Sequence, residues 1–79
     1  MLSNYDPHEV RLANEIADTL NDRDSLQYHL QNARKFKEEF QRRVLMKVMS
    51  IPENQIRKSR AALYTFLISQ SSRDGDSRH

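Results

Sequence analysis

The chain has 79 residues, 30% of them charged, with a formal net charge of +2, one Gly, two Pro and no Cys. The absence of Cys excludes disulfides, thiolate metal sites and a thiol nucleophile, and at this length a single core is marginal, so self-association is a common route to extra burial. Few Gly and Pro among many charges are typical of helical proteins. We therefore expect an all-α fold of about four helices in one orthogonal or bundle-like domain over residues 1–70.

The first predicted helix begins after Asp6. Asp6 and Glu9 have the spacing of a capping box, and Pro7 suits the first helical position. Apolar residues then recur at three- and four-residue steps, and Asn21 with Asp22 is expected to end the helix. The apolar face consists of Val10, Ala13, Ile16, Ala17 and Leu20.

The middle of the chain, residues 24–50, contains neither Gly nor Pro. Its apolar stripe keeps nearly one azimuth and is interrupted by a charge at Lys37. One continuous helix fits this pattern, and its exposed stripe would argue for a dimer. We favour two helices broken near residues 34–36, because a small domain packs better with elements of about three turns. The stripe consists of Leu26, Leu30, Ala33, Lys37, Phe40, Val44 and Val48.

Two serines mark further helix boundaries. Ser50 and Glu53 have capping-box spacing, which predicts that the preceding helix ends at Met49. Ser59 is expected to cap a last helix that runs to about Gln70.

The last predicted helix is the most apolar element of the chain. Between residues 61 and 68 only Thr65 is polar, so we expect a helix buried nearly all round. Residues 71–79 contain Ser, Asp, Gly and Arg and nothing apolar, and are predicted to form a disordered polar tail.

Positive charge is concentrated in one third of the chain. Residues 34–60 carry nine Lys and Arg against three Glu, whereas residues 1–33 carry two bases against six acids and residues 61–79 are balanced. A basic stripe on a small domain is the electrostatic footprint of a polyanion binder. The alternative is a solvated face whose cations are neutralised by acids of the first third of the chain or by helical i,i+4 partners. Those partners would be Glu38 with Arg42, Glu39 with Arg43 and Glu53 with Arg57.

The sharpest basic cluster is Arg57-Lys58-Ser59-Arg60. Its cations flank the expected N-terminus of the last helix, whose free amides also attract anions, although Ser59 can equally be a simple cap. The last helix is too apolar to be the recognition helix of a helix-turn-helix, so we expect contacts to the phosphate backbone with little sequence reading. The predicted nucleic-acid-binding residues are Lys35, Arg42, Arg43, Lys47, Arg57, Lys58, Ser59 and Arg60.

The aromatic residues divide by helical register. Phe40, Tyr64 and Phe66 fall in apolar registers and are expected in the core. Tyr28 and Phe36 lie off the main stripe and are the candidates for stacking or for an interface.

Other functional classes find no support in the pattern. His8, His29 and His79 are too far apart to predict a metal site, and His29 is expected on a surface or at an interface. Without a Gly-rich phosphate loop or a nucleophile at motif spacing, neither an enzyme nor a cofactor is expected. The first residues do not resemble a signal peptide, and the longest apolar run is far below the roughly 20 residues needed to cross a bilayer, so we predict a cytoplasmic protein without membrane contact.

The segment SIPENQIRKSRAALY, residues 50–64, resembles part of small uncharacterised all-helical bacterial proteins. It is also similar to helical tails of plasmid and phage replication proteins, and this resemblance implies a DNA-linked role. We therefore predict a non-enzymatic, nucleic-acid-associated accessory protein that binds DNA or RNA. The competing hypothesis is a protein-interaction module or homodimer that buries surplus apolar surface at Phe36, Met46, Met49 and Ile68.

Overall fold

The computed structural model describes the backbone of residues 5–77 and the side chains of residues 5–71. Within this range the predicted all-α class is confirmed, with four α-helices and no strand. The helices are α1 (Pro7–Thr19), α2 (Leu26–Lys35), α3 (Glu38–Ser50) and α4 (Arg60–Ser77), and single 3₁₀ turns lie at Arg23–Ser25 and Glu53–Gln55.

The chain divides into two compact units, an N-terminal unit (Met1–Gln41) and a C-terminal unit (Arg42–His79). The single domain predicted over residues 1–70 stays a prediction. In the N-terminal unit α1 packs against α2. The buried apolar side chains of these two helices are Leu12, Ala13, Ile16, Ala17, Leu20, Leu30 and Ala33.

The ends of α1 follow from local chemistry. Asp6 and Glu9 form the predicted capping box, in which the Asp6 N–H donates to Glu9 Oε1 at 3.0 Å. At the other end Asn21 adopts a positive φ of 54°, and the Asp22 N–H donates to the Ala17 carbonyl at 2.7 Å. Asn tolerates this left-handed conformation better than most residues, so Asn21 ends the helix as expected.

The break between α2 and α3 is confirmed, and a buried amide holds it. Phe36 has an extended backbone, with φ −116° and ψ 155°. Gln41 is fully buried, and its Nε2 donates to the carbonyl oxygens of Asn32 and Phe36, each at 3.0 Å. One side chain of α3 therefore donates to two carbonyls at the end of α2, of which the Asn32 carbonyl also accepts the Phe36 N–H at 2.9 Å.

This break changes the helical register of α3. The continuous stripe predicted Phe40 and Val44 as inward positions, but both are half-buried. Gln41 and Leu45 are buried in their place, while Val48 is buried as predicted. The prediction was wrong because a stripe counted through residues 36 and 37 assumes a helical rotation that the extended Phe36 interrupts.

In the C-terminal unit, the end of α3 differs from the predicted capping box at Ser50. Ser50 is the last residue of α3, and its hydroxyl donates to the Lys47 carbonyl at 2.8 Å. Arg60 Nη1 donates to the carbonyl oxygens of Val48 and Ile51, at 2.7 and 2.9 Å. An arginine, rather than a serine, thus organises this helix end.

The burial of α4 is one-sided, so the prediction of a helix buried nearly all round was wrong. Tyr64 and Ile68 are buried, whereas Phe66 is 57% exposed. Phe66 lies two residues from each of them and therefore near the opposite side of the helix. The helix ends at Ser77, later than the end predicted near Gln70. The disorder predicted for residues 71–79 stays a prediction, because most of those side chains lie outside the described residues.

Candidate functional site

The basic residues of the C-terminal unit outnumber its acids. Its sequence holds eight Lys and Arg against three Asp and Glu. Four of these cations, Arg43, Lys47, Arg57 and Lys58, are exposed and form no ion pair with the side chains described in residues 5–71. An uncompensated excess of exposed positive charge attracts polyanions over several ångströms.

Three of the predicted binding residues lie on α3. Arg43 and Lys47 are exposed and one helical turn apart, so they share a face, while Arg42 beside them is half-buried. The predicted pairing of Arg43 with Glu39 is absent from the described ion pairs. An exposed ion pair on a helix stabilises the protein little, because both charges are well hydrated when they are apart. The Arg43 guanidinium is therefore available to an external anion.

Three more of the predicted residues, Arg57, Lys58 and Ser59, line one open cleft of about 610 Å³. The apolar part of its lining includes Ile56, Leu63 and Phe66. The predicted pairing of Arg57 with Glu53 is likewise absent from the described ion pairs, and no carboxylate of residues 5–71 lines the cleft. The cleft therefore combines an apolar wall with a cationic rim.

Ser59 and Arg60 have structural contacts of their own. Ser59 caps α4 as predicted, since its Oγ accepts from the Ala62 N–H at 3.0 Å. The Arg60 guanidinium is directed at the end of α3, where it makes the hydrogen bonds to Val48 and Ile51 given above. Within the cluster Arg57-Lys58-Ser59-Arg60, Arg57 and Lys58 are therefore exposed cations and Ser59 is the cap of α4. Arg60 is an internal clamp that binds the end of α3.

The last predicted contact, Lys35, belongs to the N-terminal unit. Its Nζ lies 5.6 Å from the centre of the Phe36 ring and is exposed. The neighbouring Arg34 is engaged more closely, 3.2 Å from Glu9 Oε1 and 4.5 Å from the centre of the Tyr5 ring. Arg34 is therefore one base of the basic stretch that an N-terminal acid does neutralise.

Other acids of the N-terminal unit are also used locally. Asp18 Oδ1 accepts from Arg23 at 2.6 Å in an exposed ion pair. Asp22 Oδ2 lies 3.1 Å from His29 Nε2. His29 is fully buried within the chain, so its predicted position on a surface or at an interface was wrong. His29 lies on the buried side of α2 beside Leu30. The sequence did not indicate this position, because histidine is polar and is usually expected at a surface.

Asp6, His8 and Glu9 bring potential metal-ligand atoms within 4.8 Å of one another at the start of α1. The Glu9 carboxylate already has partners in the protein. The hydrogen bond from the Asp6 N–H lowers the pKa of Glu9 below its ordinary value. Burial opposes this shift, and Arg34 adds to it. The capping box and the Arg34 ion pair account for this arrangement.

The aromatic residues are placed differently from their prediction. Tyr64 is buried, as expected, but Phe66 is exposed in the cleft. Tyr28 contacts the His29 ring edge-on with centroids 5.6 Å apart, and the Phe36 ring lies 5.6 Å from that of Phe40. Because nearly all residues at the start of α4 are apolar, the sequence does not distinguish a buried face from an exposed one. The two-residue spacing of Tyr64 and Phe66 nevertheless places them on different sides of the helix.

No protein-family model, curated protein or solved structure matches this chain. Among the described residues, no helix combines the length and apolar character needed to cross a bilayer.

Proposed function

We propose that this protein is a non-enzymatic, nucleic-acid-associated accessory protein that binds the phosphate backbone through the cations of its C-terminal unit. The observation that carries this proposal is the set of four exposed cations, Arg43, Lys47, Arg57 and Lys58, that form no ion pair with any described side chain. Arg42 and Lys35 complete the proposed contacts. Arg60 and Ser59 would position the loop that carries Arg57 and Lys58.

The mechanism would be release of condensed counterions from the nucleic acid. Each phosphate that a Lys or Arg neutralises steepens the decline of affinity with salt, by about 0.7 in the log–log slope for single strands and about 0.9 for duplex DNA. Long Lys and Arg side chains on a helix face and a loop supply such contacts without reading base edges. We therefore expect strong salt dependence and weak sequence preference.

The test is fluorescence anisotropy with labelled single-stranded DNA, duplex DNA and RNA over a series of salt concentrations, using the full chain. Binding at low salt that disappears as salt rises is the expected result. The variant Arg57→Gln/Lys58→Gln should weaken binding, whereas Arg23→Gln, which removes an exposed but paired cation of the N-terminal unit, should not. Absence of binding to all three probes at low salt would overturn the proposal.

The second candidate is a protein-interaction module or homodimer, and a specific observation favours it. Met46 is 71% exposed and Met49 41% exposed on α3. Ile68, which the sequence also offered for such an interface, is only 1% exposed and is excluded from it. Light scattering over a range of protein concentrations tests this candidate, because a dimer that Met46→Ser dissociates, with no nucleic-acid affinity, would replace the first proposal.

A further inference from the structure

The cleft beside the start of α4 carries both an aromatic ring and cations. Its lining includes Arg57, Lys58 and Ser59 at one end and Phe66 further along the helix. Ser59, Leu63 and Phe66 are spaced at four and three residues, so they follow one face of α4. Seven residues of helix separate Ser59 from Phe66, which is about 10 Å along the axis.

Phe66 is available to a ligand. It is 57% exposed, while the opposite side of the helix supplies the buried Tyr64 and Ile68. Removing an apolar ring from water is favourable, and the exposed ring leaves much of that stabilisation unused in the folded chain. A planar apolar surface that covers the ring would recover it.

The charges near the ring restrict what that ligand can be. Arg57 and Lys58 are exposed and form no ion pair with any described side chain, and none of the described carboxylates lines the cleft with them. A ligand that fits must carry a flat apolar face and an anionic group within the length of the cleft. A nucleotide of an unpaired strand has both, whereas in a duplex the base faces are stacked on one another and only phosphates are offered.

We propose that this cleft binds single-stranded nucleic acid, with a base against the Phe66 ring and the adjoining phosphate at Arg57 and Lys58. This inference rests on the proposed function and narrows its substrate class from any nucleic acid to unpaired strands. Stacking on an aromatic ring tolerates every base, so we expect little sequence preference at this cleft. Arg43 and Lys47 would add phosphate contacts without distinguishing single strands from duplexes.

The first test uses Phe66→Trp as a probe, because the chain contains no Trp. Adding an unlabelled thymidine or uridine oligonucleotide to this full-length variant should quench the new indole fluorescence saturably. A duplex of equal length should quench it far less. The matched control is Tyr28→Trp in α2, whose emission should not change with either ligand.

The second test compares binding of the single strand and the duplex by anisotropy. Stacking is worth about 1–3 kcal/mol per base, so Phe66→Ala should weaken single-strand binding by about 5- to 150-fold and leave duplex binding unchanged. Met46→Ala removes an even more exposed apolar side chain, away from the cleft lining, and should change neither affinity. Phe66→Leu keeps an apolar side chain without a flat ring and should lose single-strand affinity even if Phe66→Ala does not fold.

The outcomes separate this inference from the proposed function. Nucleic-acid binding that is salt-dependent but indifferent to Phe66→Ala and Phe66→Leu would overturn the cleft as a base site and leave the phosphate-backbone proposal standing. Absence of any nucleic-acid binding would overturn both. Loss of self-association or of acidic-peptide binding in Phe66→Ala, without an effect on single strands, would assign the cleft to a protein partner and overturn the inference as well.

Discussion

Arg60 Nη1 donates a 2.7 Å hydrogen bond to the carbonyl oxygen of Val48, so the first residue of α4 holds the last turn of α3. The same nitrogen lies 2.9 Å from the Ile51 carbonyl. A guanidinium beside the C-terminal end of a helix satisfies open carbonyls and interacts favourably with the helix dipole. This contact fixes the path of the chain between the two helices from both ends.

Replacing Arg60 should therefore affect stability before it affects binding. Hydrogen bonds from a charged donor contribute about 1.5–3 kcal/mol, and because Arg60 is only half-buried we expect Arg60→Ala to lower the unfolding free energy by about 1–2 kcal/mol. Urea denaturation followed by circular dichroism measures this change. Lys58→Ala, two residues away and exposed, should stay within about 0.5 kcal/mol of the parent protein. Equal stability of the two variants would argue against the clamp.

The Gln41 amide should be similarly important for the break between α2 and α3. Gln41→Leu keeps most of the side-chain volume but leaves the Asn32 and Phe36 carbonyls without this donor, at an expected cost of about 1–3 kcal/mol. Denaturant midpoints of Gln41→Leu and of Gln31→Leu, at an exposed position on α2, provide the comparison. If both substitutions have the same small effect, the amide does not hold this junction.

Asn21 tests the turn after α1. A β-branched residue is strained at a φ of 54°, so Asn21→Val should destabilise the chain by about 1–2 kcal/mol, while Asn21→Gly should not. Thermal melts of the two variants decide between backbone strain and loss of the side chain. An equal loss in both would point to the Asn21 amide rather than to its conformation.

The ionised Glu9 should stabilise the fold in a pH-dependent way. Its pKa lies below the ordinary value of 4.5, chiefly through the hydrogen bond from the Asp6 N–H, so the folded state favours the carboxylate. This contribution is present above pH 4.5 and is lost as the pH falls through the lowered value. Urea midpoints at several pH values should show Glu9→Gln less stable than the parent at neutral pH, with the difference shrinking in acid. Glu39→Gln, at an exposed position outside the capping box, is the matched control.

The α3 cations make a separate prediction about salt dependence. If Arg43 and Lys47 each contact one phosphate, Arg43→Gln/Lys47→Gln should reduce the magnitude of the log–log salt slope by about 1.4 for single strands. Anisotropy titrations at four or more salt concentrations measure this slope. An unchanged slope with unchanged affinity would remove α3 from the interface and leave the cleft as the remaining contact.

Local signals predicted the helices well, because caps and breaks act over a few residues. Asp6 with Glu9 and Ser59 with the Ala62 amide are contacts within one turn, and both were readable as spacing. The break after α2 was expected on a charged position in an apolar stripe. In the structure the buried Gln41 amide of α3 donates to the end of α2 across this break. Periodicity does not reveal such a contact between two helices.

The candidate site was only partly predictable. The excess of cations can be counted in the sequence, but the sequence does not show which cations are exposed and which bind other parts of the chain. Arg60 is a clamp and Ser59 a cap, while Arg57 and Lys58 face the cleft, although all four are adjacent in sequence. The sequence predicts a core position for Phe66, because seven of the eight residues from 61 to 68 are apolar. Hydrophobicity alone does not say which side of such a helix is covered, and Phe66 lies on the exposed side.

The exposure of Met46 gives this cysteine-free chain an oxidisable group on its surface. Peroxide converts a thioether to a polar sulfoxide, and at 71% exposure the Met46 sulfur is open to that reagent. The added oxygen would turn the apolar patch on α3 hydrophilic while the buried Leu45 and Val48 stay untouched. Mass spectrometry of peroxide-treated protein would detect the change as one additional oxygen on the peptide that contains Met46.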